Sequence, residues 1–296
     1  MFKRAVTGAV LALSLIVVPN AIAASKHYYL ALGDSLSVGY QPVGPDFAGI
    51  ETSQGYTNDL QSHYAKQIRH LKLVEVGCPG ATTTSLLTGH GNAASVSAFH
   101  CDQRGGSQLT AAVKFLKAHH HSGEVPLITI DIGANDVVPC AGQSFASIIP
   151  CVEAGDTAIA TNTPKILKAL RRAAPKGTKF AAMNLYDPLL ADELSSDSST
   201  RAIGYLSLTL VKDVNGSIHT ANKRGKFKTV NVAKAFDTYD TTPEAFDGGQ
   251  APTNVVKICT LTWMCAAAPQ GPNIHATAAG YRVIARAFEK VVGKLK

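Results

Sequence analysis

The sequence predicts a three-layer α/β/α sandwich around a parallel sheet of about five strands. Two observations predict this class. Five short apolar runs recur along the chain, and stretches of helical apolar spacing fall between them. Strands that alternate with helices imply a parallel sheet covered on both faces. No repeat or low-complexity linker divides the chain, so residues 24–296 read as one domain.

The elements follow in order. The first strand is expected at Tyr28–Leu32, bounded by Gly33. The others are expected at Leu71–Val76, Leu127–Ile132, Lys179–Leu185 and Lys228–Val232. Leu109, Ala112, Val113 and Leu116 share one helical face, as do Ile166, Leu167 and Leu170. Ile203, Leu206, Leu210 and Val214 form a third stripe. A last helix follows His275, with Tyr281, Ile284, Ala285, Phe288, Val291, Val292 and Leu295 at helical spacing. Stretches 41–55, 80–107, 136–157 and 237–274 read as long excursions from the sheet, and excursions of that length are usually functional.

Residues 1–23 read as a signal peptide. Lys3 and Arg4 precede an apolar run from about Ala9 to Val18, then Ala21-Ile22-Ala23 supplies a small-residue cleavage pattern. The run is short of the ~20 residues that span a bilayer, so export with removal is expected over anchoring, and no later segment spans either. The 296 residues carry a formal charge of +7, of which Lys3 and Arg4 leave with the leader. No dense basic cluster is interleaved with aromatics, which argues against a nucleic-acid site. The six cysteines are even in number and, in an exported chain, point to disulfides. They fall in sequence-local pairs, giving Cys78–Cys101, Cys140–Cys151 and Cys259–Cys265. No CxxC supports the alternative of zinc. The His119-His120-His121 run is read as contact with a helix C-terminus, not as a metal site. No cofactor is called for, and a monomer is expected.

Chemistry collects after the strands. Gly33-Asp34-Ser35 follows the first, Gly77-Cys78-Pro79-Gly80-Ala81-Thr82-Thr83 the second, and Gly133-Ala134-Asn135-Asp136 the third. Asn273-Ile274-His275 stands before the last helix. Gly, Asp and Ser are ordinary turn residues, so the first motif alone decides nothing. In a parallel sheet, however, all three strand ends meet at one edge, where such folds place their ligands. A serine is a weak nucleophile until a base takes its proton, and histidine suits that task. Backbone N–H groups and an Asn amide can hold the oxyanion of a tetrahedral intermediate. Gly80 would let an oxygen approach its N–H with no side chain in the way.

The ordered set of GDSLS at 33–37, the glycine of CPGATT, GAND at 133–136 and the histidine before the C-terminal helix resembles the SGNH, or GDSL, hydrolase superfamily. The likeness is to its exported lipases and esterases, and it covers nearly the whole chain beyond the leader. It implies a flavodoxin-like three-layer fold and serine ester hydrolysis through an acyl-enzyme. Ser35 then looks like the nucleophile and His275 like the general base, with an oxyanion hole of the Ser35 and Gly80 N–H groups and the Asn135 side chain.

One position departs from the family pattern. An aspartate usually stands three residues before the histidine, and here that residue is Pro272. The expected replacement is the Pro272 main-chain carbonyl, giving a Ser-His dyad. An aspartate from elsewhere, such as Asp240 or Asp247, is the rival, and an inactive site is the third reading. Substrates expected are lipid or short- to medium-chain esters. Polysaccharide O-deacetylation, phospholipid deacylation and a catalytically silent binding protein are the alternatives. Phe99, Trp263 and Met264 either line an acyl pocket or pack under the disulfide loops.

Overall fold

The computed structural model describes residues 26–43, 49–89 and 106–295. Five parallel strands form the central sheet: β1 (His27–Gly33), β2 (Leu71–Glu75), β3 (Leu127–Asp131), β4 (Lys179–Met183) and β5 (Lys228–Val230). Their order is β2-β1-β3-β4-β5, all parallel. The order reverses between β1 and β3, and in such sheets the crevice beyond the carboxyl ends of those two strands is the ligand position.

Alternation along the strands divides the core into two faces. Tyr29 and Ala31 of β1 and Ala181 and Met183 of β4 point to one face. Helices α1 (Tyr56–Ala65), α8 (Thr253–Leu261) and α9 (Ala278–Val292) pack there, with Tyr56 stacked on Phe288 at 5.0 Å between ring centroids. Leu30, Leu32, Ile128, Ile130 and Ala182 point to the other face, against α3 (Gln108–Ala118) and α5 (Phe145–Ala173). Burying one side chain such as Ile284 or Phe288 of α9 contributes about 1.5–3 kcal/mol. Thr277 caps the start of α9, its hydroxyl accepting from the Gly280 N–H.

Further elements complete these layers. They are α2 (Thr83–Thr88), α4 (Ala134–Val137), α6 (Ser198–Gly225) and α7 (Val232–Ala235), with a hairpin of β6 (Pro243–Phe246) and β7 (Gly249–Pro252). A second antiparallel pair joins β8 (Thr262–Trp263) to β9 (Asn273–Ala276). Two expected excursions are more ordered than their composition suggests. Stretch 136–157 enters α5 at Phe145, and that helix runs through Pro150 and Pro164 because Val152, Ile159, Ile166 and Leu170 bury one continuous stripe. Stretch 237–274 holds β6, β7, α8 and β8.

Cys140–Cys151 and Cys259–Cys265 stand at disulfide geometry, with Cα atoms 5.6 and 4.8 Å apart. Cys101 lies outside the described residues, and so does Phe99. No helix among the described residues is long and apolar enough to cross a membrane.

Candidate active site

β1 delivers Ser35 to the carboxyl edge of the sheet, two residues past Gly33. The turn is built by Asp34. Its carboxylate accepts from the Leu36 N–H at 3.0 Å, and its carbonyl accepts from the Ser37 hydroxyl at 2.7 Å. From below, Asp131 of β3 accepts from the Asp34 N–H at 3.3 Å and from the Tyr56 hydroxyl at 2.5 Å. Asp34 therefore serves the turn backbone. Burial pushes its carboxyl up to about 6 and pushes Asp131 well above the usual carboxylate range.

β9 brings His275 to the same place. The Ser35 hydroxyl lies 2.8 Å from Nε2. On the other side of the ring, Nδ1 lies 2.6 Å from Asn273 Oδ1. The His275 backbone N–H also donates to that oxygen, at 3.0 Å. This second bond fixes the assignment. A backbone N–H only donates, so the Asn273 atom facing it is oxygen, and an oxygen facing Nδ1 requires Nδ1 to carry the proton. Nε2 is then the acceptor for Ser35.

Desolvation lowers the His275 pKa to about 4, so the ring is neutral above that pH. Tyr40 packs against the ring at 4.3 Å between centroids, and its carbonyl accepts from the Tyr281 hydroxyl. The Tyr186 hydroxyl holds the Ile274 carbonyl at 2.8 Å. β8, flanked by Cys259 and Cys265, pairs with β9 from behind.

This arrangement corrects the expected orienting group. The acceptor at Nδ1 is the Asn273 side chain, not the Pro272 carbonyl and not the carboxylate of Asp240 or Asp247. The physical reason is an Asx turn, in which Asn273 bonds the backbone two residues on and thereby sets its oxygen beside the His275 ring. An Asn two residues before a candidate base was the signal available in the sequence.

Gly80, at φ +74°, adopts the left-handed backbone that suits glycine, turning the segment after β2. The Asn135 amide at the start of α4 donates to the Ala81 carbonyl at 3.1 Å, which leaves its second hydrogen for another acceptor. Asp136 ties the two segments together, accepting from the Thr83 N–H at 2.9 Å and the Thr83 hydroxyl at 2.7 Å. α5 crosses directly behind. A Cβ added to Gly155 would stand 2.1 Å from the Asp136 carbonyl oxygen, so glycine is what lets the helix seat this loop. Among the described residues, neither the Ser35 nor the Gly80 N–H has a backbone acceptor.

A cleft of about 900 Å³, its open mouth included, leads from Ser35 and His275 between α5 and α6. Trp263 and Met264 take no part in its lining; Met264 packs on the core face that carries α9. The histidine run bonds helix-end carbonyls, His119 to Phe115 and His120 to Lys117. Among the described residues no group of three or more His, Cys, Asp or Glu side chains could hold a metal ion.

A parallel α/β sheet with a serine–imidazole pair and amide donors at its carboxyl edge defines a serine hydrolase. The chain belongs to the GDSL-like lipase/acylhydrolase family, which it matches over residues 31–283, and is a carboxylic-ester hydrolase. Its fold is similar to that of an extracellular lipase from Streptomyces rimosus and a phospholipase A1 from Streptomyces albidoflavus. Each superimposes with a TM-score of 0.54 at 17% identity, covering 90% of this chain and 99% of the other. No curated protein sequence matches the chain.

Proposed function

We propose that the protein is a secreted esterase or lipase that cleaves acyl esters through an acyl-enzyme on Ser35, with His275 as general base and Asn273 as its neutral orienting group. The observation that carries this reading is the 2.8 Å contact between Ser35 Oγ and the unprotonated Nε2 of His275. Ser35 Oγ attacks the ester carbonyl carbon and its proton passes to Nε2. The carbonyl oxygen takes the negative charge, facing the N–H groups of Ser35 and Gly80 and the free amide hydrogen of Asn135. Each such donor lowers the barrier by about 3 kcal/mol.

Collapse of the intermediate breaks the bond to the alcohol oxygen, which leaves with the proton from Nε2. Water then attacks the acyl-enzyme, again giving its proton to Nε2, and the carboxylic acid departs as Ser35 recovers the proton. Asn273 keeps the Nδ1 proton in place throughout and accepts a stronger hydrogen bond while the ring is an imidazolium. Export is supported by the Lys3-Arg4 start, the short apolar run and the Ala21-Ile22-Ala23 pattern, and two disulfide-compatible pairs are in keeping with it.

The test is hydrolysis of p-nitrophenyl acetate by the protein lacking residues 1–23, beside Ser35→Ala. Turnover by the parent, abolished in the variant, is the expected result. Equal turnover in both would remove Ser35 from the chemistry.

A further inference from the structure

Resting on the reading of His275 as the base, we infer that Tyr40 is its positioning residue: the aromatic face between the two rings holds the imidazole and steadies the imidazolium that forms in each half of the reaction. The need for such a group comes from what surrounds the ring. Burial alone disfavours the charged form of His275. The side chains that meet the ring are Ser35, Asn273 and Tyr40, none of which carries a charge at neutral pH. Yet Nε2 takes a proton in both half-reactions while Nδ1 keeps its own, so a full positive charge appears in a desolvated place. An aromatic ring attracts a cation through the negative potential over its face, with no charge of its own. It therefore adds no negative charge near the oxyanion, as a carboxylate would.

The geometry supplies that ring. The centroids of Tyr40 and His275 are 4.3 Å apart, with the planes inclined at 44°. Rings that meet edge to edge stand farther apart, so this contact runs through a ring face, and the imidazolium lies within the ~6 Å reach of a cation–π attraction. Tyr40 is held by both catalytic elements. Its N–H donates to the Ser35 carbonyl at 3.0 Å. Its carbonyl accepts at 2.7 Å from the hydroxyl of buried Tyr281, on the helix that follows His275. The next residue, Gln41, exchanges two backbone hydrogen bonds of 3.0 Å with Ile50. That bridge lays Gly49 so close to the Tyr40 hydroxyl that a Cβ there would collide with it. The hydroxyl end of the side chain is thus fixed by residue 49, and its ring meets the base.

The test places phenylalanine, and phenylalanines with one, two and three ring fluorines, at position 40 of the protein lacking residues 1–23. Fluorine draws electron density from the ring face and barely alters its shape. On p-nitrophenyl acetate, kcat should fall stepwise along the series, about tenfold in all (about 1.4 kcal/mol), with KM unchanged because the cation forms only after substrate is bound. Tyr40→Leu, which fills space without an aromatic face, should be no faster than the trifluoro variant; should it fail to fold, the fluorine series stands alone. A kcat that stays flat along the series overturns the inference, since a purely steric role does not sense ring density. Titration of His275 by proton NMR reads the same effect without turnover. Its pKa should fall with each fluorine, and a constant value also overturns the inference. His275→Ala on the same ester separates the two readings. Turnover that survives His275→Ala refutes the base, whereas turnover abolished there beside a flat series refutes only the role of Tyr40.

Discussion

Replacing Asn273 by Asp would test how the base is set. The two side chains have the same shape, and the substitution puts a negative charge beside Nδ1, where a neutral oxygen now lies at 2.6 Å. Between charges about 4 Å apart at an effective dielectric constant near 20, the attraction is about 4 kcal/mol. That corresponds to about three pKa units in favour of the imidazolium. The His275 pKa, now lowered to about 4 by desolvation, would rise toward 7. General-base activity needs the neutral ring, so the acid limb of kcat/KM should move from about pH 4 in the parent to about pH 7 in Asn273→Asp. The assay is the pH profile of kcat/KM on one p-nitrophenyl ester from pH 3.5 to 9. Asn273→Ala should lose roughly 10- to 100-fold, the range for a buried N–H left without its acceptor. An acid limb that stays near pH 4 in the Asp variant would refute the claim that this contact governs the ring.

Two further outcomes follow from packing and burial. Gly155→Ala should lower stability by about 1–3 kcal/mol and reduce kcat more than it raises KM, because its Cβ would push the Asp136 carbonyl and with it Asn135; denaturant unfolding beside steady-state kinetics reads both. Asp187 is buried, with its carboxyl pushed up to about 7 by desolvation. Because the folded value is raised, its contribution to stability is whole below the unfolded value and is lost as pH rises through about 7. Asp187→Asn keeps Oδ1 as acceptor for the Leu189 N–H and turns its amide N–H to the Ser207 oxygen, whose hydroxyl can donate to the Gly204 carbonyl instead, so it should raise Tm at pH 8 and leave it unchanged at pH 4; an equal shift at both would contradict the linkage.

The parts that could be read from the chain alone are those encoded within a few residues. β1 to β5 lie within two residues of the apolar runs that predict them, since a strand buried on both faces has a local signature. Ser35, Gly80 and Asn135 could be singled out because each follows such a strand. The acceptor at Nδ1 lies in a local motif, the Asx turn of Asn273 onto His275, but the family pattern draws attention to position 272 and to the carboxylates of Asp240 and Asp247 instead. The length of α5 was hidden by Pro150 and Pro164, each costly by about 3 kcal/mol inside a helix. Burial of Val152, Ile159 and Ile166 outweighs that cost, and only tertiary packing reveals it. The cleft was invisible for a related reason. Ile203, Leu206 and Leu210 read alike whether they face a neighbour or a hollow.

The buried carboxyl groups near Ser35 bear on why a neutral Asn273 suits this site. Asp34 forms the turn that carries Ser35, and Asp131 lies directly beneath it. Asp136 holds the loop of Asn135. Any of them, if ionised, would oppose the negative oxygen that forms in the tetrahedral intermediate. Burial raises all three, which favours their neutral forms and eases the placement of Asp131 beside Asp34. An aspartate at 273 would add a negative charge on the far side of the ring. It would stabilise the imidazolium but hold the ring protonated up to neutral pH, whereas Asn273 keeps the base free over a wider acidic range. The substitution therefore exchanges a stronger base near neutrality for activity in acid, and the pH profile of Asn273→Asp should show both halves of that exchange.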